Sequence, residues 1–539
     1  MKTKRLVSML LVLVMSLGLL TGCGGKATTK VEALPEETVT LTVGIPQKAT
    51  VTDYDDNAFT NYLEEQANVK LKFVYFSSTE TEYQQQLALM CGAKESLPDV
   101  ILGFTFSHYI MNEYGEDGYF MDLTDYIDAY APNYKEQLKQ LDDETRAYVE
   151  EKGKNTNTGA YYGMPRVVCK AVDQLQSMMY INQTWLDNLG LQVPTTIDEL
   201  KNVLHEFKTK DPNKNGANDE IPIIGKDGIV DYLINAFVCY DQNNFNVTDG
   251  KVWDPILKDE FRQAVIYAND LVNSELYSKL SFSIASNSEY RTLISPTDGP
   301  SKVGIFVGHH ETMTNPATDA LDHFTALPAL SDATGLGGYT IYAKPNVVWS
   351  GFITKDCEYP AAAMKLLDTW YQDETMTRQR HGDKDVDWVY EEGDNAYGTK
   401  SYAKAINSEA YFSGNSTWCA NVLGIMTQWN YLLIAQEGEG RIAQASRLQT
   451  EQWDVMENGK APKETAENLV YSTEEYEIRE EKANDVNSYI STEIIYFVSG
   501  EKDPKDDAAW ENFISTMNSI GREELMKVCQ SAYDRQQSK

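Results

Sequence analysis

One segment of ten residues carries oxygen side chains at a spacing that suits a hard cation. Residues 211–220 read DPNKNGANDE, with oxygen-bearing side chains at positions 1, 3, 5, 9 and 10 and Gly216 at position 6. Calcium takes six to eight oxygens, and alternate positions of a tight loop can point them inward. The pattern departs from an EF-hand, because position 12 is Pro222 and not Glu. A solvated polar turn is the alternative, since Asp, Asn and Gly favour turns in any protein.

The sequence carries no recognisable catalytic motif. It has no G-x-S-x-G, no Walker loop and no H-E-x-x-H. Residues 438–443 match the loose dinucleotide pattern G-x-G-x-x-A, but Glu437 and Glu439 would face the pyrophosphate, so we treat the match as chance. The adjacent side chains of His309 and His310 are poorly placed to converge on one metal ion. With 81 acidic residues, a carboxylate pair at glycosidase spacing can arise by accident. We therefore predict a protein that is not an enzyme.

Aromatic side chains are plentiful and suit the apolar faces of sugar rings. The chain has nine tryptophans and 33 tyrosines, whose flat rings can stack on C–H groups. Trp185, Trp370 and Trp510 recur at helical spacing with other apolar residues and are assigned to the core. Four tryptophans lie in segments rich in Gly, Ser, Asn and Asp, where we expect exposure and ligand contact: Trp349, Trp388, Trp418 and Trp429.

The charge balance narrows the class of ligand. The 539 residues include 81 acidic and 47 basic ones, for a formal charge of −34. This excess argues against nucleic acid, whose affinity comes largely from Lys and Arg on phosphates, and against docking on anionic lipid. The composition, 42% hydrophobic and 24% charged, is that of a globular protein with a large core. The length predicts three or four ordinary domains or two large ones.

The first residues have the pattern of a secretory signal. Lys2, Lys4 and Arg5 precede fifteen uncharged, mostly apolar residues, which is too short to span a bilayer. The run ends in LTGC, which resembles a bacterial lipobox, so residues 1–22 are predicted to be a signal peptide and Cys23 to be lipid-modified. Residues 23–38 would be a linker. We predict a protein held on the extracytoplasmic face of the cell membrane by its lipid anchor only.

Six cysteines follow Cys23, and their spacing is wide and irregular. An even number of cysteines in an exported protein permits disulfides, but a core of this size needs none. Without a C-x-x-C pair, neither a zinc knuckle nor a thioredoxin-like site is expected. Mostly buried free thiols are favoured over disulfide pairs.

The first part of the presumed mature chain alternates strand and helix patterns. Residues 39–43 and 69–75 alternate apolar and polar positions, and residues 99–102 form a buried apolar run. Helical patterns lie between them at residues 57–67 and 80–93. This β-α-β-α-β order predicts parallel strands joined by right-handed crossovers.

Ligands of such open sheets bind beyond the carboxyl ends of the strands. Here those ends lead into residues 44–55 and 103–108. A second α/β region has strand patterns at residues 178–181, 302–308 and 324–328. The fold class is therefore predicted to be α/β.

Helix boundaries are marked by local signals. Thr196 and Glu199 form a predicted capping box before the apolar positions of a helix, and Gly190 is a predicted helix C′ residue. Pro360 lies near the first turn of another predicted helix. The last 75 residues are predicted to be mainly helical.

The order of these landmarks resembles the family 1 extracellular solute-binding lipoproteins of bacterial ABC importers, in particular their large carbohydrate-binding members. The resemblance spans nearly the whole presumed mature chain. The matching landmarks are the lipobox at Cys23, LPDVI at 97–101, YGMP at 162–165, YIN at 180–182, WLDNLGL at 185–191, VPTT at 193–196, KVG at 302–304 and the tail 497–534.

This resemblance implies a two-lobed, periplasmic-binding-protein-like (type II) fold with a ligand cleft between the lobes. Closure of the cleft on a ligand would follow a hinge motion. The implied hinge connections lie near residues 165–178 and 328–345. The implied domains are lobe 1, at 39–168 plus about 335–400, and lobe 2, at 169–334 plus about 401–539.

The resemblance also implies a function. The protein would capture a carbohydrate, expected to be an oligosaccharide, as a monomer and deliver it to the permease and ATPase subunits of an ABC importer. Two alternatives stay open. One is a binder of peptides or other zwitterions in the same fold, which would need a buried carboxylate–arginine pairing. The other is a surface glycan hydrolase.

Particular residues take roles from the resemblance. The 211–220 segment resembles the calcium loop of alginate-oligosaccharide-binding relatives, which implies a structural calcium ion. His309 is implied in the cleft, because Gly308 is followed in many relatives by an aromatic sugar contact. Tyr162 and Arg166 are further implied ligand contacts, and Arg166 could select charged sugars. The implied calcium ligands are Asp211, Asn213, Asn215, the Ala217 carbonyl, Asp219 and Glu220.

Overall fold

The structure is a computed structural model that describes residues 31–538, apart from 49–50, 156–157, 169–177, 226–227, 242–244, 285, 333, 341–345, 408–421, 432, 467–468 and 470. The predicted signal peptide, Cys23, Trp418 and most of the first predicted hinge connection lie outside the described residues. Among the residues described, no helix has both the length and the apolar character needed to cross a membrane.

The strands, in chain order, are β1 (Val39–Pro46), β2 (Val69–Phe76), β3 (Val100–Phe106), β4 (Met164–Val168), β5 (Met179–Asn182), β6 (Ile221–Ile224), β7 (Asn246–Thr248), β8 (Lys251–Trp253), β9 (Val303–Val307), β10 (Phe324–Ala326), β11 (Asn346–Ile353), β12 (Trp388–Asp394), β13 (Lys400–Ala405) and β14 (Gly424–Met426).

The helices are α1 (Ala58–Ala67), α2 (Glu80–Ala93), α3 (His108–Glu116), α4 (Thr124–Tyr130), α5 (Pro132–Leu138), α6 (Asp143–Gly153), α7 (Gln183–Leu189), α8 (Ile197–Thr209), α9 (Ile229–Asn235), α10 (Asp259–Asn273), α11 (Asn287–Ile294), α12 (His310–Met313), α13 (Pro360–Thr369), α14 (Asp373–His381), α15 (Gln428–Tyr431), α16 (Arg441–Asn458), α17 (Thr473–Ser499), α18 (Asp507–Ile520) and α19 (Arg522–Gln537).

Lobe 1 is built on a six-stranded sheet in the order β14-β4-β11-β3-β1-β2. β1 pairs in parallel with both β2 and β3, which confirms the predicted β-α-β-α-β unit. β11 enters between β3 and β4 and runs antiparallel to both. Two apolar clusters form the core of this lobe. β3 contributes Leu102 to one cluster and Ile101 to the other.

Lobe 2 is built on a four-stranded sheet in the order β10-β5-β9-β6. The predicted capping box is present at the start of α8, where the Thr196 hydroxyl accepts from the Glu199 N–H and Glu199 accepts in return from the Thr196 N–H. Gly190 ends α7 in the left-handed conformation at φ 67°, as its position predicted. The helices of this lobe bury Trp185, Phe207 and Phe261 completely or nearly so.

Three connections join the lobes. The first links β4 to β5 and the second links β10 to β11, in agreement with the two predicted hinge connections. The third runs from β14 to α16. Because β14 pairs in parallel with β4, the chain returns to lobe 2 only after residue 426, so the implied boundary near residue 401 is too early. The β12–β13 hairpin between these points belongs with lobe 1.

The C-terminal helices α17, α18 and α19 pack on α10 in lobe 2. A buried ion pair fixes the last of them: Arg522 donates to both carboxylate oxygens of Asp254, at 2.7 and 3.2 Å. The guanidinium also lies 4.1 Å from the ring centre of Phe245. Both partners are only 2% exposed, so removing one would leave the other as an uncompensated buried charge.

Three described cysteines, Cys91, Cys357 and Cys529, are free thiols, as favoured by the sequence. Burial raises the pKa of the Cys91 and Cys529 thiols to about 11 each. These thiols are therefore protonated and unreactive at neutral pH.

Candidate functional site

The strand ends next to the inter-lobe connections face the space between the two sheets. We call them the inner ends. In lobe 1, the pairing of Trp349 with Phe106 and of Asn346 with Val168 brings the ends of β3 and β4 to the start of β11. In lobe 2, Met179 pairs with Val307, so the end of β9 lies beside the start of β5. The inner ends are therefore the carboxyl ends of β3, β4 and β9, where ligands of open α/β sheets bind.

Helix α3 begins directly at the inner end of β3. Its N-cap is Ser107, whose hydroxyl accepts from the Ile110 N–H. The first helical residue, His108, lies within hydrogen-bond distance of the Asn112 amide and of the Lys154 carbonyl. Burial lowers the pKa of His108, so the imidazole is neutral at physiological pH. It is thus a hydrogen-bonding group at the inner end and not a fixed charge.

Trp349 lies beside this histidine, edge to face, with ring centres 5.9 Å apart. It is only 2% exposed and belongs to the aromatic cluster of lobe 1, so the predicted exposure of Trp349 is wrong. Its indole N–H is buried without a hydrogen-bond partner among the described residues. An unpaired buried donor is costly, and sites of this kind often serve a ligand. A ligand-contacting role for Trp349 stays a prediction.

The predicted exposure of Trp388 is also wrong. Its ring is completely buried, and its indole N–H donates to the Gly382 carbonyl at 3.0 Å. Trp429, half-buried, packs in the same cluster, 5.5 Å from the ring of Tyr402. These rings hold the β12–β13 hairpin against α14 and α15. Their predicted contact with ligand is not tested by this packing, and it stays a prediction.

The inner end of β9 carries two histidines. The His309 ring is half-buried and stacks on His310, with ring centres 4.9 Å apart. His310 is fully buried, and its Nδ1 lies 3.1 Å from the Tyr180 hydroxyl. Burial holds the pKa of His310 well below its usual range, and the nearby positive groups of His309, Arg441 and Arg447 act in the same direction. His310 is therefore a neutral packing residue that supports the position of His309.

Tyr162 is buried in lobe 1, whereas Arg166 is half-buried. Tyr162 is 7% exposed, and its ring packs so closely on Gly115 that a Cβ there would come within 2.2 Å of it. Arg166 is half-buried in β4, opposite Val348 of β11 and Gly424 of β14. The packing of Tyr162 favours a structural role, and the binding roles of both residues stay predictions.

The 211–220 loop folds around its own oxygens. Asp211 accepts from the backbone N–H groups of Asn215 and Gly216, at 3.1 and 3.0 Å. The Asn215 side-chain amide donates to Asp219 at 2.9 Å. Gly216 has φ of 77°, a conformation that favours glycine, so the turn depends on this residue.

The last residue of the loop, Glu220, is half-buried and carries a carboxylate. Both carboxylate oxygens of Glu220 are buried without a hydrogen-bond partner among the described residues. Burial raises the pKa of Glu220, and the carboxylates of Asp219 and Asp211 raise it further. The Lys302 ammonium lies 2.9 Å from Asp219 and supplies one positive charge. Among the described residues, no group of three or more His, Cys, Asp or Glu side chains is arranged to hold a metal ion.

A pocket of about 480 Å³ lies where the second connection leaves lobe 2. Its lining includes Pro328, Ser331, Gly338 and, from α16 and the residues after it, Asn458 and Lys460. None of the predicted binding residues lines it.

Besides the edge-to-face contact of Tyr397 with Trp453, the lobes touch each other at an aromatic pair near the inner end of β3 that the sequence did not single out. The ring of Tyr109, in α3, stacks on that of Tyr476, in α17, with centres 4.2 Å apart and planes 16° apart. The Tyr476 hydroxyl also lies 2.7 Å from the Ser107 hydroxyl. Sequence patterns placed residues 103–108 at a ligand edge, but nothing near Tyr476 indicated that α17 reaches the same place.

Part of the chain matches a known protein family. Residues 48–274 match the family model described as bacterial extracellular solute-binding protein. This match spans 227 of the 539 residues, so it shows the likeness of that part of the chain to the family. The two-lobed α/β fold that the structure displays agrees with the match.

Two curated relatives of this chain have names that refer to carbohydrates. It is 29% identical over 304 residues to the fructooligosaccharide ABC transporter substrate-binding protein FusA of Streptococcus pneumoniae serotype 4, covering 52% of this chain and 54% of FusA. It is 25% identical over 342 residues to the polygalacturonan/rhamnogalacturonan-binding protein YtcQ of Bacillus subtilis, covering 61% and 62%. The aligned regions therefore span little more than half of each relative.

A solved structure covers more of the chain. The S. pneumoniae FusA EF-hand mutant in complex with fructo-nystose superimposes with a TM-score of 0.72 at 19% identity, covering 93% of this chain and 99% of that one. This likeness establishes the fold of the whole described chain.

Proposed function

We propose that this protein captures an oligosaccharide in the cleft between its lobes and delivers it to the permease and ATPase of an ABC importer. The observation that carries the proposal is the meeting of two sheets at their inner ends, with three connections between the lobes, in a chain that matches the solute-binding family over residues 48–274. The relatives named for fructooligosaccharide and for pectic polysaccharides support a carbohydrate ligand. The protein acts as a monomer and performs no chemistry on the sugar.

The binding mechanism follows from the two-lobe geometry. A ligand that contacts both lobes favours the closed state by its differential affinity for that state. His108 in lobe 1 and His309 in lobe 2 supply hydrogen-bonding imidazole groups at the inner ends. The buried indole N–H of Trp349 is one further donor for a sugar hydroxyl. Neutral groups of this kind suit a neutral sugar in a chain of charge −34.

A calcium ion is proposed in the 211–220 loop, with a structural role. Bound there, calcium would neutralise the clustered carboxylates and tie the end of α8 to the start of β6. The residues that would hold it fit the ion, because Glu220 is buried with no partner for either oxygen. Lys302 donates to Asp219 and thereby competes with the ion for one of its ligands. The proposed ligands are Asp211, Asn213, Asn215, the Ala217 carbonyl, Asp219 and Glu220.

A lipid on Cys23 is proposed as the membrane anchor. The support is the sequence alone: a basic start, a short apolar run and the LTGC motif. Replacing Cys23 by Ala should move the protein from the detergent phase to the aqueous phase in phase partitioning. A variant that still enters the detergent phase would show that another feature anchors it.

A thermal-shift screen tests the ligand class. The purified protein is heated with kestose, nystose, a galacturonide trimer and an equimolar series of di- and tripeptides. A ligand at 100 times its dissociation constant stabilises the folded protein by about 2.7 kcal/mol, which raises the melting temperature. A shift with one class of oligosaccharide supports the proposal, and a shift with peptides alone contradicts it.

A further inference from the structure

The stacked pair Tyr109 and Tyr476 joins the two lobes directly. Tyr109 follows the inner end of β3, in a helix that packs on β3 and β11. Tyr476 lies in α17, which packs on α10 and α19 of lobe 2. Ring centres 4.2 Å apart and nearly parallel planes mean that the two faces are in van der Waals contact. This contact can exist only while the lobes are close together.

Both tyrosines are held by their own lobes. Ser107 caps α3 and simultaneously lies 2.7 Å from the Tyr476 hydroxyl. On the other side, the capping box of Ser472 and Glu475 fixes the first turn of α17, where Tyr476 lies. Glu475 also pairs with Arg535 of α19. The two rings are therefore presented by preorganised helix starts, and little side-chain freedom is lost when they meet.

Carboxylates from both lobes surround this contact. Burial raises the pKa of Tyr109, and so do the carboxylates of Glu113 and Glu116 in lobe 1 and of Glu477 in lobe 2. The pKa of Tyr476 is raised by burial and by Glu480, while Arg479 opposes the shift. Both hydroxyls stay protonated at neutral pH, because both pKa values lie above the usual value of a tyrosine. The like charges of the two lobes repel each other when the lobes close.

We propose that Tyr476 is a positioning residue for lobe closure: with Tyr109 and Ser107 it forms a latch that stabilises the closed state without touching the ligand. The surrounding carboxylates weaken this latch, so the closed state is favoured by stacking and opposed by charge. The latch would set the fraction of binding-competent protein, and hence the apparent affinity for any sugar. The inference rests on the proposed closure mechanism.

Small-angle X-ray scattering of the sugar-free protein tests the latch. Tyr476→Ala and Tyr109→Ala should each increase the radius of gyration, and the double variant should increase it no further, because either change removes the same contact. Tyr476→Phe keeps the stack and loses only the hydrogen bond, so its increase should be smaller. Tyr489→Ala, on the same helix but packed on Phe513 within lobe 2, is the control and should leave the radius unchanged.

Salt gives a second measurement on the same samples. Raising ionic strength from 0.01 to 1 M shortens the screening length from about 30 to about 3 Å, so the wild type should become more compact. The Tyr476→Ala protein should respond less. Circular dichroism confirms that each variant is folded. Folded alanine variants with the radius and salt response of the wild type would overturn the latch, whereas failure to bind any sugar would contradict only the proposed function.

Discussion

Buried polar atoms are the most informative residues of this molecule. The Glu220 carboxylate oxygens and the Trp349 indole N–H are buried without hydrogen-bond partners in the described part of the chain, and leaving such groups unpaired costs free energy. By contrast, the Trp388 indole N–H donates to the Gly382 carbonyl, and Nδ1 of His310 lies within hydrogen-bond distance of the Tyr180 hydroxyl. The sequence cannot separate these cases, because Gly382, Asp383 and Asp387 form a hydrogen-bonded turn just before β12 and do not expose the ring.

Trp388 is expected to be a stability residue. Removing a fully buried tryptophan ring leaves a cavity, so Trp388→Ala should lower the free energy of unfolding by about 3–5 kcal/mol. Urea denaturation measures this loss. Trp388→Phe should recover part of it, although the indole bond to Gly382 is lost. A normal free energy of unfolding together with lost sugar binding would instead place Trp388 in the cleft.

His310 is expected to make stability depend on pH. Burial lowers its pKa in the fold, so the native state binds fewer protons than the unfolded chain as the pH falls below about 6.5. The stabilisation that neutral His310 contributes is therefore fully present above about pH 6.5 and is lost as the pH falls below it. Between pH 7.5 and 5.5 the loss should be about 1.4 kcal/mol.

Urea denaturation at the two pH values measures the His310 effect. In His310→Gln, the free energy of unfolding should differ less between the two pH values than in the wild type, by about 1.4 kcal/mol. His205→Gln, at an exposed site on α8, is the control. An unchanged pH dependence in His310→Gln would show that His310 is not the group responsible.

At the scale of elements, local signals predicted more than composition did. The capping box at Thr196, the glycine end of α7 and the alternation of β1 and β2 all depend on contacts within a few residues, and all are present. The position of the third connection could not be predicted from local signals of this kind. Its position depends on β14, a three-residue strand whose pairing with β4 spans more than 250 residues of sequence.

The calcium loop is the element whose prediction can be tested alone. If calcium binds only the folded protein, free ion at 100 times its dissociation constant stabilises by about 2.7 kcal/mol, so chelation should lower the melting temperature. Asp211→Ala and Glu220→Gln should abolish that response. Lys302→Met should strengthen calcium binding, because the ammonium no longer competes for Asp219.

Asp249→Asn, at an exposed turn between β7 and β8, serves as the control for the loop variants and should respond to chelation like the wild type. Elemental analysis provides the independent check. A protein that holds no calcium after equilibration at millimolar concentration would refute the site.

At the scale of the whole molecule, the proposed function depends on two lobes that are joined by three connections of the same chain. The lobe arrangement was predictable because the strand and helix order and the family landmarks extend over nearly the whole chain. The contacts between lobes were not, because Tyr109 and Tyr476 are separated by more than 360 residues and carry no local signal. Contacts of this kind arise only from how the finished lobes meet.

Native mass spectrometry of the purified protein with a mixture of oligosaccharides tests the central claim most directly. We predict a complex of one protein with one oligosaccharide, whose released sugar has its original mass, since the proposed function is binding without cleavage. The control is the same mixture with an unrelated acidic protein. Absence of any sugar complex, or complexes containing only shortened sugars, would contradict the account.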